Sequence, residues 1–142
     1  MVLLAFYLFS YEMLVNHPLP EVALTAQRVI TESGYAIGYR DENDIVTVST
    51  EFDIRDLHRY IIEEFSDENP GWTQARVQIF VKIRAITTEN TKIEINAVFE
   101  RFGTPSVLLL IPPHWRNAAS NGNLEKELMD KIIASLPTKG EK

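Results

Sequence analysis

Between Arg76 and Glu100 the sequence alternates apolar and polar residues through two consecutive segments, and no other stretch restricts the fold as strongly. Val77, Ile79, Val81, Ile83 and Ala85 are interleaved with Arg76, Gln78, Phe80, Lys82 and Arg84. Neighbouring side chains in a strand point to opposite faces, so one face here is apolar and the other mostly cationic. Thr88-Glu89-Asn90-Thr91 supplies a turn, after which Ile93, Ile95, Ala97 and Phe99 alternate with Lys92, Glu94, Asn96 and Glu100. The pattern predicts a long antiparallel hairpin, Arg76–Phe102, at the centre of a sheet. Its apolar row faces the helices, and Lys82 and Arg84 lie near Glu94 and Asn96 across the strands.

Other elements are arranged around that hairpin. Pro20 opens a helix in which Val22, Ala26, Val29 and Ile30 share one face, and Ser33-Gly34 ends it. Tyr35, Ile37 and Tyr39 alternate as a strand, Asp41-Glu42-Asn43-Asp44 turns the chain, and Ile45–Phe52 returns as its partner. Asp53 caps a predicted second helix, Ile54 to Phe65, with Ile54, Leu57, Ile61 and Phe65 inward. Ser66 to Gln74 reads as a loop, and Val107 to Ile111 as a short strand or buried segment stopped by Pro112-Pro113. A last helix, Leu124 to Leu136, is capped by Asn121 or Asn123 and aligns Leu124, Leu128, Ile132 and Leu136. The expected fold class is α+β: an antiparallel β-sheet of four to five strands with two to three helices packed on one face. Residues 19–136 form a single domain, preceded by an apolar arm or anchor (1–18) and followed by a tail (137–142).

Composition narrows the function classes. The chain has 142 residues and no cysteine, which removes disulfides, thiolate metal sites and cysteine nucleophiles. A formal net charge of −6 argues against a nucleic-acid partner, since Lys and Arg on phosphates carry that affinity. Charge is unevenly divided: residues 1–74 hold 4 of the 14 basic and 13 of the 20 acidic residues. In a single domain the halves interleave, so the ordinary meaning is two solvated faces. Arg76, Lys82, Arg84 and Lys92 flank Phe80 on one sheet face, an arrangement similar to RNA-binding sheets but without their signature. That face instead suits paired surface charge or the acidic stretch of a protein partner.

Chemistry-bearing patterns are few. His17, His58 and His114 have no second ligand at metal spacing, and no G-x-S-x-G elbow accompanies the serines. The six glycines are too scattered for a phosphate loop, and the carboxylate pairs Asp41/Asp44, Glu63/Glu64 and Asp67/Glu68 fall in turns or on polar faces. No catalytic residue, metal or cofactor is expected, and an enzyme ranks behind two other classes. His114-Trp115-Arg116 is the most site-like triplet, because an exposed Trp beside cations marks contacts; a Trp closing the core under a Pro-rich loop is the plainer reading.

Val2 to Phe9 is an uninterrupted apolar run, diluted only by Ser10, Glu12 and Asn16 through Val15. It lacks the basic start of a secretory signal and the length of a spanning helix. Three readings are open: a strand of the fold, the remnant of an export signal, or an arm docking through residues 2–15 on a membrane or membrane-protein partner. Phe6, Tyr7 and Phe9, with Trp115 and Arg116, are the candidate partner-binding residues. Ser10–Leu19 reads as a spacer, which favours docking over pairing.

The stretches "YAIGYRDENDIVTVST", "VQIFVKIRAITTENTKIEINAVFERFG" and "NGNLEKELMDKIIASL" together resemble the periplasmic domain of the C-type lipoprotein of the outer-membrane β-barrel assembly machinery and its lipoprotein relatives. The shared features are a first helix leading into a Gly-Tyr strand, a charged turn, a long hairpin with a Thr-rich turn, and the helix opening Asn121-Gly122-Asn123-Leu124-Glu125. The resemblance spans roughly residues 20–136 and implies a noncatalytic accessory domain, extracytoplasmic and membrane-associated, contacting a larger membrane protein complex. The chain departs from that family at the anchor, because without cysteine no lipobox is acylated. The expectation is therefore a noncatalytic structural or interaction subunit of a membrane-associated complex. The alternative is a small-ligand or lipid carrier with a pocket between sheet and helices.

Overall fold

The structure is a computed structural model that describes residues 10–62, 71–104 and 112–137. Among the described residues seven antiparallel strands form one sheet: β1 (Tyr11–Val15), β2 (Ile37–Arg40), β3 (Asp44–Thr47), β4 (Thr50–Phe52), β5 (Trp72–Ala85), β6 (Thr91–Gly103) and β7 (His114–Ala118). The described residues also form two α-helices, α1 (Leu19–Glu32) and α2 (Asn123–Ser135), and a 3-10 helix, Ile54–Arg59.

The β5–β6 hairpin is the centre of the sheet, paired from Trp72↔Gly103 to Ala85↔Thr91. Short strands flank it on both sides. β3 and β4 lie end to end along β5, while β1 and β7 do the same along β6; β2 extends the sheet beyond β3. The strand count exceeds the four to five expected, and the cause is local. The segment read as one strand from Ile45 to Phe52 breaks at Val48-Ser49, where the Val48 amide turns to donate to the Ala36 carbonyl at 2.8 Å. Tyr11–Val15, expected as part of a spacer, pairs with β6 from Tyr11↔Ile95 to Val15↔Thr91. Trp72–Gln74, expected as loop, begins β5.

The odd-numbered row of the hairpin is the core row. Val77, Ile79, Val81, Ile83, Ile93, Ile95 and Phe99 are all buried, and Lys82 and Arg84 are exposed, as the alternation requires. The cross-strand charge pairing differs in part: Lys82 is opposite Glu94, but Asn96 faces Phe80 and Arg84 faces Lys92. Helix α1 buries Val22, Thr25, Ala26, Val29 and Ile30, and α2 buries Leu124, Leu128, Met129 and Ile132. The helices touch each other, α1 also touching β5 and α2 touching β1 and β6.

The predicted second helix is corrected. Asp53 does cap its start, accepting from the Arg55 amide at 2.9 Å, but the helix is 3-10 and ends at Arg59. Its continuation is prevented by a competing partner. Ile61 bridges to Ser120, the Ile62 amide donates to Ala119 O and the Asn121 amide to Tyr60 O, so these backbone groups are committed to the strand-like segment before α2. Phe65 and the Val107 to Ile111 segment lie outside the described residues.

Candidate functional site

A cleft of about 160 Å³ opens where the 3-10 helix meets the hairpin and the first turn of α2. Its floor is Val77, Phe99 and Leu124, all buried. Half-buried Tyr35, Phe52 and Tyr60 form the walls, with Asp56 and Arg59 at the mouth.

Each wall residue is positioned by a specific backbone device. At the end of α1, Gly34 adopts φ 98°, and the amides of Gly34 and Tyr35 donate to Thr31 O and Ile30 O. This left-handed stop reverses the chain and delivers Tyr35 to the cleft. Phe52 comes from β4, held by its Phe52↔Ala75 pairing. Tyr60 follows the 3-10 helix, whose last carbonyl, Arg59 O, accepts from Asn121 Nδ2 at 3.0 Å and Asn123 Nδ2 at 2.8 Å. Neither asparagine is the cap residue of α2 that the sequence suggested; both instead fix the cleft wall. Asn121 Oδ1 takes the Asn123 amide at 2.9 Å, while Gly122, at φ 90°, occupies the cap position itself.

The rings form one cluster. Phe52 meets Tyr60 edge-on at 6.4 Å and Phe99 edge-on at 6.0 Å, and Tyr60 lies parallel to Phe99 at 5.9 Å. These are the edge-to-face and offset arrangements that ring quadrupoles favour. Burial pushes the Tyr35 hydroxyl pKa up, helped by Tyr60 and the Glu127 carboxylate. Tyr60 is raised by burial and then by Glu127, against the pull of Arg59. Both phenols are therefore neutral hydrogen-bonding groups at physiological pH. The capping Asp53 is an ion-paired carboxylate held down to about 2, chiefly by hydrogen bonds from the Arg55 side chain.

The sequence-derived contact residues are placed as follows. Trp115 stands on β7, half-buried, with its ring 5.3 Å from Phe102 and the Arg76 guanidinium 3.7 Å from its centroid. Arg76 is itself held by Glu100, Nε to Oε1 at 2.8 Å. Trp115 belongs to the even-numbered row of the hairpin through its pairing with Phe102, so it does not cap the Ile79 row. Arg116, next in the strand, points to the other side opposite Arg101 and shares no surface with Trp115. His114 Nδ1 lies 3.0 Å from Pro112 O. Phe6, Tyr7 and Phe9 lie outside the described residues.

Among the described residues no group of three His, Asp or Glu side chains is placed to hold a metal ion, and no helix is long and apolar enough to cross a membrane. The pocket between sheet and helices that the sequence offers as an alternative comes with none of these lining residues named. The walls of the cleft, residues 35, 52 and 60, are brought over Phe99 by the Gly34 stop, the β4–β5 pairing and the 3-10 turn. Had residues 54–65 formed an α-helix, Tyr60 would not meet Phe99 in this way. Compared with models of known protein families and with curated proteins, the chain matches none.

Proposed function

We propose that this chain is a noncatalytic interaction domain of a membrane-associated protein complex on the extracytoplasmic side. In this reading the helices cover the Ile79 side of the hairpin and leave the opposite side for a partner. The observation that carries the reading is the Trp115 cluster: an indole in contact with Phe102 and with an Arg76 side chain that Glu100 holds in place. Trp and Arg anchors of this kind dominate the energetics of protein interfaces. The membrane and its side are supported by the apolar run Val2–Phe9 and by the lipoprotein resemblance over residues 20–136.

The carrier alternative has less support. Pockets for small ligands run to about 300–1,000 Å³, well above the cleft volume. A larger depression, about 490 Å³, lies beside Leu19, Pro20, Ala23, Leu24 and Glu42, but Leu24 there is 70% exposed, which leaves it open to water.

The test is purification of the tagged full chain from native membranes, with Trp115→Ala and Arg76→Glu compared with wild type. A stoichiometric complex recovered with the wild type and lost with either variant, at unchanged melting temperature, supports the proposal. Recovery without a stoichiometric partner overturns it, and a co-purifying lipid turns the assignment to the carrier.

A further inference from the structure

We infer that the cleft between the 3-10 helix and the hairpin is a socket for one aromatic ring, the side chain of a Phe or Tyr in a partner polypeptide. The inference deepens the interaction reading by naming what part of the partner enters the domain.

Size is the first argument. An apolar protein cavity of about 150 Å³ is enough to hold benzene, and the cleft is about 160 Å³. A ring fits this volume, and because the cleft is open on one side the chain that bears the ring lies outside the mouth. Ring chemistry is the second. Phe52, Tyr60 and Phe99 already make two edge-on contacts and one parallel contact around the cleft, and a further ring extends the same pattern. The buried floor of Val77 and Leu124 gives it an apolar seat.

The mouth explains why the ring belongs to a polypeptide. Asp56 offers a hydrogen-bond acceptor and Arg59 offers donors on the same rim. A peptide backbone presents an N–H and a C=O on the two sides of each side chain, and these complement that pair of groups. The backbone that carries two of the wall residues is held on its own account. Asn121 and Asn123 grip the Arg59 carbonyl beside Tyr60, and Gly34 fixes the approach of Tyr35, which lowers the ordering cost of binding.

The experiment follows the Val77 and Leu124 methyl signals by NMR while the full chain is titrated with p-cresol, N-acetyltyrosinamide, N-acetylphenylalaninamide and N-acetylleucinamide. The three ring compounds are expected to shift both methyls, and the leucine amide to bind about tenfold more weakly or not at all. Arg59→Ala, at an exposed side chain, is expected to weaken the two capped aromatic amides several-fold and to leave p-cresol unchanged. Leu124→Phe fills the socket and abolishes all three; if that variant unfolds, the Arg59 split and the leucine comparison still decide. Equal binding of the leucine amide overturns the inference, as does the absence of shifts at Val77 and Leu124. A preference for tetramethylammonium over the rings overturns it too, by making the site a cation cage. Failure here with the Trp115-dependent complex intact removes the socket alone, whereas a socket that binds rings while Trp115→Ala leaves complex recovery unaltered removes the proposed surface instead.

Discussion

Ile79 and Ala97 face each other across the central hairpin, and the outward amide of each is taken by a side chain in place of a neighbouring strand. The Ile79 N–H donates to Thr47 Oγ1 at 2.8 Å, and the Ala97 N–H donates to Glu125 Oε2 at 3.3 Å. The reason lies in the flanking strands. Beside β5, the pairing of β3 ends at Val46↔Phe80 and that of β4 starts at Thr50↔Val77; beside β6, β1 stops at Ile95 and β7 starts at Phe99. Both gaps fall at the same level of the hairpin, and one buried polar side chain fills each.

Thr47 and Glu125 are therefore expected to stabilise the fold despite being polar and buried. Thr47→Val keeps the shape and orphans the Ile79 amide, at a cost of about 1–3 kcal/mol. Glu125→Ala orphans the Ala97 amide and also the Ser120 hydroxyl, which donates to Glu125 Oε1 at 2.8 Å, so its cost should exceed that of Thr47→Val. Glu125→Gln retains an acceptor and should lose the least. Urea unfolding of the three variants gives the order directly.

Glu125 also makes stability depend on pH in a particular direction. Burial raises its carboxyl above the ordinary value of 4.5, against the hydrogen bonds from Ser120, its own amide and Ala97. The folded chain then keeps this proton where the unfolded chain has released it. The resulting stabilisation is complete below about pH 4.5 and is lost as pH rises through the folded pKa. Asp41 and Asp53, both lowered, act in the opposite sense, losing their contributions as pH falls. The stability difference between wild type and Glu125→Gln isolates the buried group: it should shift against the wild type as pH rises from 4. A difference flat with pH would show that the carboxyl titrates normally.

Two glycines separate strain from collision. At Gly34 an added Cβ meets nothing within 4 Å, so Gly34→Ala costs only the left-handed backbone, about 1 kcal/mol. At Gly103 a Cβ would overlap the Gly71 carbonyl oxygen and crowd Trp72 Cα at 2.8 Å, both backbone atoms that cannot swing aside. Gly103→Ala should be clearly more destabilising in thermal denaturation, whereas Gly34→Ala should leave the fold intact and displace Tyr35.

How far the fold was legible depended on whether a residue's environment was set by its chain neighbours. The alternation of Val77 through Phe99 named the hairpin and its buried row, because a period of two leaves no choice of face. The same logic held for Val22, Ala26, Val29 and Ile30 on α1 and for Leu124, Leu128 and Ile132 on α2, all buried. Ile83→Ala and Ile95→Ala, at positions 1% and 0% exposed, are expected to cost about 2–5 kcal/mol each. What stayed hidden was set by distant partners. Nothing near Tyr60 announces that Asn121 and Asn123 will hold the Arg59 carbonyl, and that contact is what turns a helical pattern into a cleft wall. Glu125 lies in the first turn of α2, and only the gap between β1 and β7 gives it a buried role.

The N-terminal segment yields the most decisive truncation, because the strand β1 divides it. Val15 is buried, Tyr11 packs against the core, and Thr91 Oγ1 donates to His17 O at 2.7 Å. On the polar side Lys92 Nζ lies 3.3 Å from Glu12. Deleting Met1–Asn16 removes all of β1 and bares the β6 edge along Thr91–Ile95, so about 2–4 kcal/mol should be lost from Val15 and Tyr11 burial alone. Deleting only Met1–Phe9 keeps β1 and removes the eight-residue apolar run. If that run is a membrane tether, the shorter deletion leaves the melting temperature unchanged and empties the membrane fraction of the chain. A melting temperature that falls as far with the shorter deletion as with the longer one, with membrane recovery retained, would make the run part of the folded core and end the tether assignment.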